Sequence, residues 1–201
     1  MYCPAHFAET RPEALAALIA AHPLALLIST GESGLIANAV PFQMTPDRRH
    51  LRAHLARANP QLAGLDGAQV LVVFQGEQAY ITPALYAAKA ETGKVVPTWN
   101  YLMVQVRGTA RLTDDADWLG DQIDALTRAM EADLPQPWAV TDSPASYIAA
   151  MKRGIVGVEI DITGITGKWK ASQNRPPSDR ANVADALSQT HPALAAAAGD
   201  A

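Results

Sequence analysis

The chain has 201 residues and a mass of 21.3 kDa, with 49% hydrophobic and 18% charged residues. That composition describes a globular protein, long enough to bury about 70% of its unfolded surface without disulfides or metals, and it excludes wholesale disorder. Sixteen Lys and Arg against twenty Asp and Glu leave a net charge of −4, which argues against a cationic coat for gripping nucleic acid.

The first element is a helix from Thr10-Arg11-Pro12-Glu13 through Leu15, Leu18 and Ile19. Thr10 and Glu13 have the spacing of a capping box, Pro12 suits the first turn, and His22-Pro23 stops the helix. Two apolar runs, 24–30 and 35–42, flank the polar turn Gly31-Glu32-Ser33-Gly34 and predict a hairpin. A turn at 45–49 leads to a strand ending near His54-Leu55, and Asn59-Pro60 opens a brief helix with Asn59 as its cap. Residues 68–75 are β-branched and apolar, a buried strand, continued at 79–82. Residues 86–91 suggest one helical turn ended by Gly93, and 95–112 a long alternating strand.

Residues 114–133 give the clearest helix, with Leu119, Ile123, Leu126 and Met130 on one face and seven acids against Arg128 alone. A last strand is expected over 155–162, then a polar loop over 168–180, a short helix to Ser188 and an Ala-rich tail. The strands cluster in sequence and do not alternate with helices, which disfavours a doubly wound parallel sheet. The expected fold is mainly β with peripheral helices (α+β), an antiparallel barrel or curled sheet. One domain is expected over 1–188, with a loose tail over 189–201.

Four clusters stand out, of which the N-terminal Met1-Tyr2-Cys3-Pro4-Ala5-His6-Phe7 better suits packing of Tyr2 and Phe7. Arg57 precedes the Asn59-Pro60 helix start, where free amides and a guanidinium favour an anion. On these residues alone, an ordinary Asn cap beside a surface Arg is the readier reading. Val96-Pro97-Thr98-Trp99-Asn100-Tyr101 sets two aromatics around an amide, suited to a planar heterocycle or to plain packing. Gly167-Lys168-Trp169-Lys170-Ala171-Ser172-Gln173-Asn174-Arg175 offers many donors, for a polar ligand or for solvent. Residues 151–180 hold six Lys and Arg against three acids, so this end of the chain is locally basic.

Several chemistries are unsupported. There is no dinucleotide-binding glycine motif, no phosphate-binding P-loop and no Gly-x-Ser-x-Gly elbow. The five His lack metal-ligand spacing, and Cys3 is the single cysteine, which excludes an internal disulfide and a Cys-rich zinc site. The N-terminus lacks a basic start followed by an apolar run, and the longest apolar stretch, 24–28, is far shorter than the ~20 residues a membrane helix needs. A cytoplasmic protein without membrane attachment is the expectation.

Taken together, four segments resemble the PaiB-type family of FMN-binding negative transcriptional regulators. They are Met1-Tyr2-x-Pro4-x-His6-Phe7, then His54-x-Ala56-Arg57-x-Asn59-Pro60-Gln61, then Lys89-x-x-x-Gly93-Lys94-Val95-Val96-Pro97-Thr98-Trp99-Asn100-Tyr101, and Gly167-Lys168-Trp169-Lys170-x-Ser172-Gln173-Asn174-Arg175. The chain departs from the family pattern at Leu62, in place of Trp, and at Ala84-Leu85, in place of Ser-Trp. That removes two aromatics.

The resemblance implies a split antiparallel β-barrel and a homodimer with FMN at the subunit interface. It implies that His54, Arg57 and Asn59 hold the phosphate, that the backbone of Val40, Pro41 and Phe42 faces the isoalloxazine, and that Trp99, Asn100, Gln173, Asn174 and Arg175 close the site from the partner. Lys170 or Arg175 is then placed to stabilise an anionic reduced flavin. The function so implied is an FMN-binding PaiB-like transcriptional regulator. A flavin-dependent oxidoreductase and a barrel for another planar ligand are the alternatives. No helix-turn-helix is evident and the best helix is acidic, so DNA is a weakly supported partner.

Overall fold

The computed structural model describes residues 1–32 and 34–199, so Ser33 of the expected turn and the last two residues of the expected tail lie outside it. In chain order the elements are β1 (Ala8–Glu9), α1 (Pro12–Ala21), β2 (Leu24–Gly31), β3 (Gly34–Pro41), β4 (Gln43–Met44), β5 (His50–Ala56), β6 (Gln69–Ile81), α2 (Ala88–Thr92), β7 (Thr98–Thr113), α3 (Ala116–Glu131), α4 (Ala145–Arg153), β8 (Ile155–Lys170), α5 (Pro177–Leu187) and α6 (Pro192–Gly199). The eight strands form one antiparallel sheet in the order β3-β2-β6-β7-β8-β5-β4, with β1 added to β8. Helices sit between strands without alternating with them, the α+β arrangement expected.

The described residues divide into two compact units. Unit 1 comprises Met1–His22, Phe74–Gln105 and Thr166–Ala201, and unit 2 comprises Pro23–Val73 and Val106–Ile165. The long strands β6, β7 and β8 each contribute to both.

In unit 2 the alternation of β2 decides its faces. Ala25, Leu27 and Ser29 are buried, while Leu24 and Leu26 point outward. β2 pairs with β3 along its whole length and with β6 through Leu26–Val73, Leu27–Val72 and Ile28–Leu71. β5 pairs with β8 from His50–Asp161 to Ala56–Ile155. α3 lies over β5 and β8. Gly157 on β8 makes room for it, since a Cβ there would stand 2.5 Å from the Trp118 ring. The Arg52 guanidinium stacks 5.3 Å from that ring.

In unit 1, Leu15, Leu18 and Ile19 of α1 are buried, as are Val183 and Leu187 of α5. α2 ends as expected at Gly93, whose φ of +67° turns the chain while its amide bonds the Lys89 carbonyl. The N-terminus of α1 differs from the capping box expected. Arg11 is the N-cap residue with no side-chain cap bond, and the Glu9 carboxylate holds both the Arg11 amide and its guanidinium.

Three further differences concern extent. The strands expected at 68–75 and 79–82 are one strand, β6. β8 runs eight residues beyond the expected end, because Glu9 and Ala8 of β1 pair with Gly167 and Lys168, so part of the expected loop is strand. The Ala-rich stretch from 192 is helical, with Leu194 and Ala198 buried and the Leu194 amide donating to Glu77 at 2.9 Å. High alanine content favours helix once one face can bury.

Candidate functional site

The sequence-predicted residues separate into two groups, each inside one unit. Unit 2 holds Val40, Pro41, Phe42, His54, Arg57 and Asn59. Unit 1 holds Trp99, Asn100, Lys170, Gln173, Asn174 and Arg175.

In unit 1 the end of β8 and the turn after it are held to the start of β7 by buried polar bonds. Asn100 is fully buried, and its Nδ2 donates to Ser172 Oγ at 2.9 Å. Ser172 carries a left-handed φ of +68°, uncommon for a residue with a Cβ, and the turn closes through the Arg175 amide to the Ser172 carbonyl at 2.9 Å. Gln173 is spent inside the turn, accepting from the Ala171 amide at 2.7 Å and donating to the Trp169 carbonyl at 2.6 Å. Asn174 is exposed, with no side-chain hydrogen bond among the described residues.

Three cations converge there. Lys170 Nζ donates to Thr98 Oγ1 at 2.5 Å and to the Trp99 carbonyl. Burial, then the neighbouring Lys168 and Arg175, push its pKa below the usual lysine value. Lys168 is 7% exposed, donates to the Tyr2 carbonyl at 3.1 Å and lies 5.3 Å from the Tyr101 ring. Arg175 stacks 4.5 Å over Tyr86, whose buried hydroxyl has no partner. None of the three has an ion-pair carboxylate among the described residues, although buried charges are ordinarily paired. Lys170, Asn174 and Arg175 line a pocket of about 160 Å³ with Asn100 and Phe7. Trp99 is 55% exposed and meets Tyr80 edge to face at 5.9 Å.

In unit 2, Val40 and Phe42 are buried and Pro41 half-buried. The Phe42 amide bonds the Pro23 carbonyl at 2.8 Å. β3 ends the strand order, so one edge of its backbone has no strand partner among the described residues. His54 Nδ1 meets Gln122 Oε1 at 2.8 Å, and Gln122 Nε2 is buried with no partner. Asn59 Oδ1 accepts from the Gln61 amide at 2.9 Å, capping a single 3-10 turn at Pro60–Leu62. Arg57 donates to Asp114 Oδ1 at 2.5 Å and to the Arg153 and Ile155 carbonyls at 3.0 and 2.9 Å. It lines a cleft of about 560 Å³ with Lys152 and Arg153. His54 and Asn59 are not part of that lining.

Sequence reasoning missed several of these partners. Gln122 stands three residues after Leu119 on the inward face of α3, and a polar residue on an apolar stripe was the available signal. Gln61 appeared only within a motif. It is buried and bonds the Leu27 carbonyl, Ser29 Oγ and Asn38 Nδ2. The side chains of His50, Glu159 and Asp161 come within 4.8 Å of one another, but both carboxylates carry ion pairs, to Arg52 and Arg111.

Residues 1–164 match the family model described as "Putative FMN-binding domain". An uncharacterized protein of Emericella nidulans is 34% identical, covering 91% of this chain and 88% of its own. The protease synthase and sporulation protein PAI 2 of Bacillus subtilis is 29% identical, covering 93% and 89%. Among solved structures, the conserved hypothetical protein Rv2991 of Mycobacterium tuberculosis superposes with a TM-score of 0.62 at 12% identity, covering 88% and 94%. The FAD and heme binding protein of Mycobacterium smegmatis gives 0.57 at 19% identity, covering 81% and 73%. Those likenesses show the fold alone, an antiparallel split β-barrel. The match over most of its length makes the chain a member of the "Putative FMN-binding domain" family, of PaiB type, with FMN as its cofactor.

Proposed function

We propose that the protein is a homodimeric FMN-binding barrel with a PaiB-like regulatory role, in which unit 2 of one protomer and unit 1 of its partner each contribute half of the flavin site. The observation that carries this reading is in unit 1, where Lys168, Lys170 and Arg175 stand without acidic partners among the described residues, with Trp99 exposed beside Lys170. Such a cluster suits a planar ligand that also bears negative charge. The partnerless Gln122 Nε2 beside His54 gives unit 2 a donor for a further ligand oxygen.

When bound, FMN supplies the redox chemistry, and the chain supplies position and charge. Trp99 would pack against the ring system, and Asn174 and Arg175 would bond its polar edge, while Asn100 and Gln173 hold the turn that carries them. Lys170 would keep a positive charge at that edge. His54, Arg57 and Asn59 would form the phosphate side, and the backbone of Val40, Pro41 and Phe42 would face the isoalloxazine.

Dimerisation is supported by the outward face of the β2–β3 hairpin. Leu24 (65% exposed), Leu26 and Leu35 (80%) share it with Ala37 and Ala39, an apolar strip with no cover in the monomer. The regulatory role draws on the likeness to PAI 2, named a protease synthase and sporulation protein.

The test is a fluorescence titration with FMN on protein of known oligomeric state. One FMN per chain on a dimer supports the reading, and a folded monomer or a protein that binds no FMN overturns it. Arg57→Ala is expected to weaken FMN far more than riboflavin, and equal loss of both makes Arg57 structural. Gel shifts of promoter fragments at low salt test the regulatory part.

A further inference from the structure

The cleft in unit 2 holds two cations, Lys152 and Arg153, that lie outside the four motif segments. Lys152 and Arg153 end α4, and Arg57 follows β5. All three line one cleft together with Leu119, Ala116 and Ala149. Its volume of about 560 Å³ falls within the ordinary range for small-ligand sites.

What distinguishes these cations is how they are held. Lys152 Nζ donates to the Ala116 carbonyl at 2.8 Å, and Arg153 Nη1 to the Ala149 carbonyl at 3.3 Å. Arg57 is fixed by the carbonyls of Arg153 and Ile155. A carbonyl orients a cation without cancelling its charge. Asp114, bound to Arg57 Nη2, is the one acid in the lining. Neighbouring Asp115 is turned to its own helix, accepting from the Asp117 and Trp118 amides.

Three positive heads against one carboxylate leave a surplus of two charges. That matches a phosphomonoester, close to a dianion at pH 7, better than a carboxylate. Arg57 Nη1 makes no bond among the described residues, and Lys152 has two N–H groups left, so both can reach an oxyanion.

We propose that this cleft is a phosphomonoester site in which Lys152 and Arg153 act with Arg57, and that Asp114 is the internal anion competing for it. The ligand's source is either the ribityl phosphate of FMN, in which case the proposal rests on the flavin reading above, or a free organic phosphate.

The test uses wild type, the Lys152→Gln/Arg153→Gln double variant and Asp114→Asn, each titrated with FMN, riboflavin and inorganic phosphate. The double variant is expected to weaken the phosphate-bearing probe about tenfold or more and leave riboflavin unchanged. Asp114→Asn is expected to tighten the same probe, an effect that loss of a merely structural ion pair does not produce. If inorganic phosphate competes with FMN, the source is the flavin. If it binds FMN-saturated protein and the double variant abolishes that binding alone, the source is a free phosphate. A folded double variant that binds FMN and inorganic phosphate as wild type does overturns the proposal, and so does an Asp114→Asn protein weakened like the double variant. Should neither flavin bind wild type, the flavin reading fails by itself and the inorganic phosphate titration still decides the cleft.

Discussion

Asn100 in unit 1 and Arg57 in unit 2 both come from long sequence motifs, yet they are built into the molecule differently. Asn100 is fully buried and bonded to Ser172, Gln173 is consumed by its own turn, and Lys170 ties β8 to Thr98 and Trp99. In that unit these three candidate binding residues are also part of the packing. In unit 2 the charged candidate lies at the surface, with the Arg57 side chain 47% exposed and its partner Asp114 67%, and buried polar work falls to a motif neighbour, Gln61. Function and stability are therefore fused in one unit and separable in the other.

Stability measurements give that contrast its largest test. Asn100→Ala leaves the Ser172 hydroxyl without its partner in a dry site and is expected to cost about 2 kcal/mol or more. Arg57→Ala removes an exposed ion pair and is expected to cost less than about 1 kcal/mol. Urea unfolding midpoints at pH 7 measure both. Equal losses would erase the distinction between the units.

The same difference explains what was legible in the sequence. Local rules placed the hairpin, β7, α3 and the Gly93 stop, because alternation, helical spacing and a left-handed glycine are written within a few residues. The extension of β8 was not legible, because it depends on β1 pairing with Gly167 and Lys168 from the other end of the chain. The helix from 192 was hidden similarly, since its buried face needs a partner remote in sequence. At the site, residue types were readable and their bonds were not. Asn59 does cap a turn, but nothing nearby in sequence foretells that Arg57 meets Asp114, or that His54 meets Gln122.

A smaller effect sharpens the picture of unit 1 through pH. Burial, with Lys168 and Arg175 behind it, holds the Lys170 pKa below the ordinary 10.5. Below the lowered value both folded and unfolded chains carry the proton, and the cost of the buried charge is fully present. Between that value and 10.5 the folded chain has released the proton while the unfolded chain retains it, so stability rises with pH. Lys170→Gln keeps hydrogen-bonding capacity for Thr98 and Trp99 without the charge. Relative to that variant, wild type is expected to gain stability as pH climbs from 7 toward 10.5, read as converging urea midpoints. A constant gap would mean that Lys170 is solvated and that unit 1 is less dry than its geometry implies.

The smallest effect belongs to unit 2, at the start of α3. The Trp118 amide, then that of Asp117, hold the Asp115 carboxyl below its ordinary 3.8. A carboxylate stabilised in this way supports the fold above 3.8, and the support is lost as pH falls through the lowered value. Asp115→Asn preserves an acceptor for the cap but carries no charge toward the helix N-terminus. Its stability is therefore expected to fall slightly below wild type at pH 7, with the difference vanishing in acid. Hydrogen exchange at the Asp117 and Trp118 amides should report the same change locally. Because this turn leads directly into the cleft side of α3, faster exchange there without weaker phosphate binding would show that Arg57, Lys152 and Arg153 keep their places through the backbone carbonyls that anchor them, independently of the helix cap.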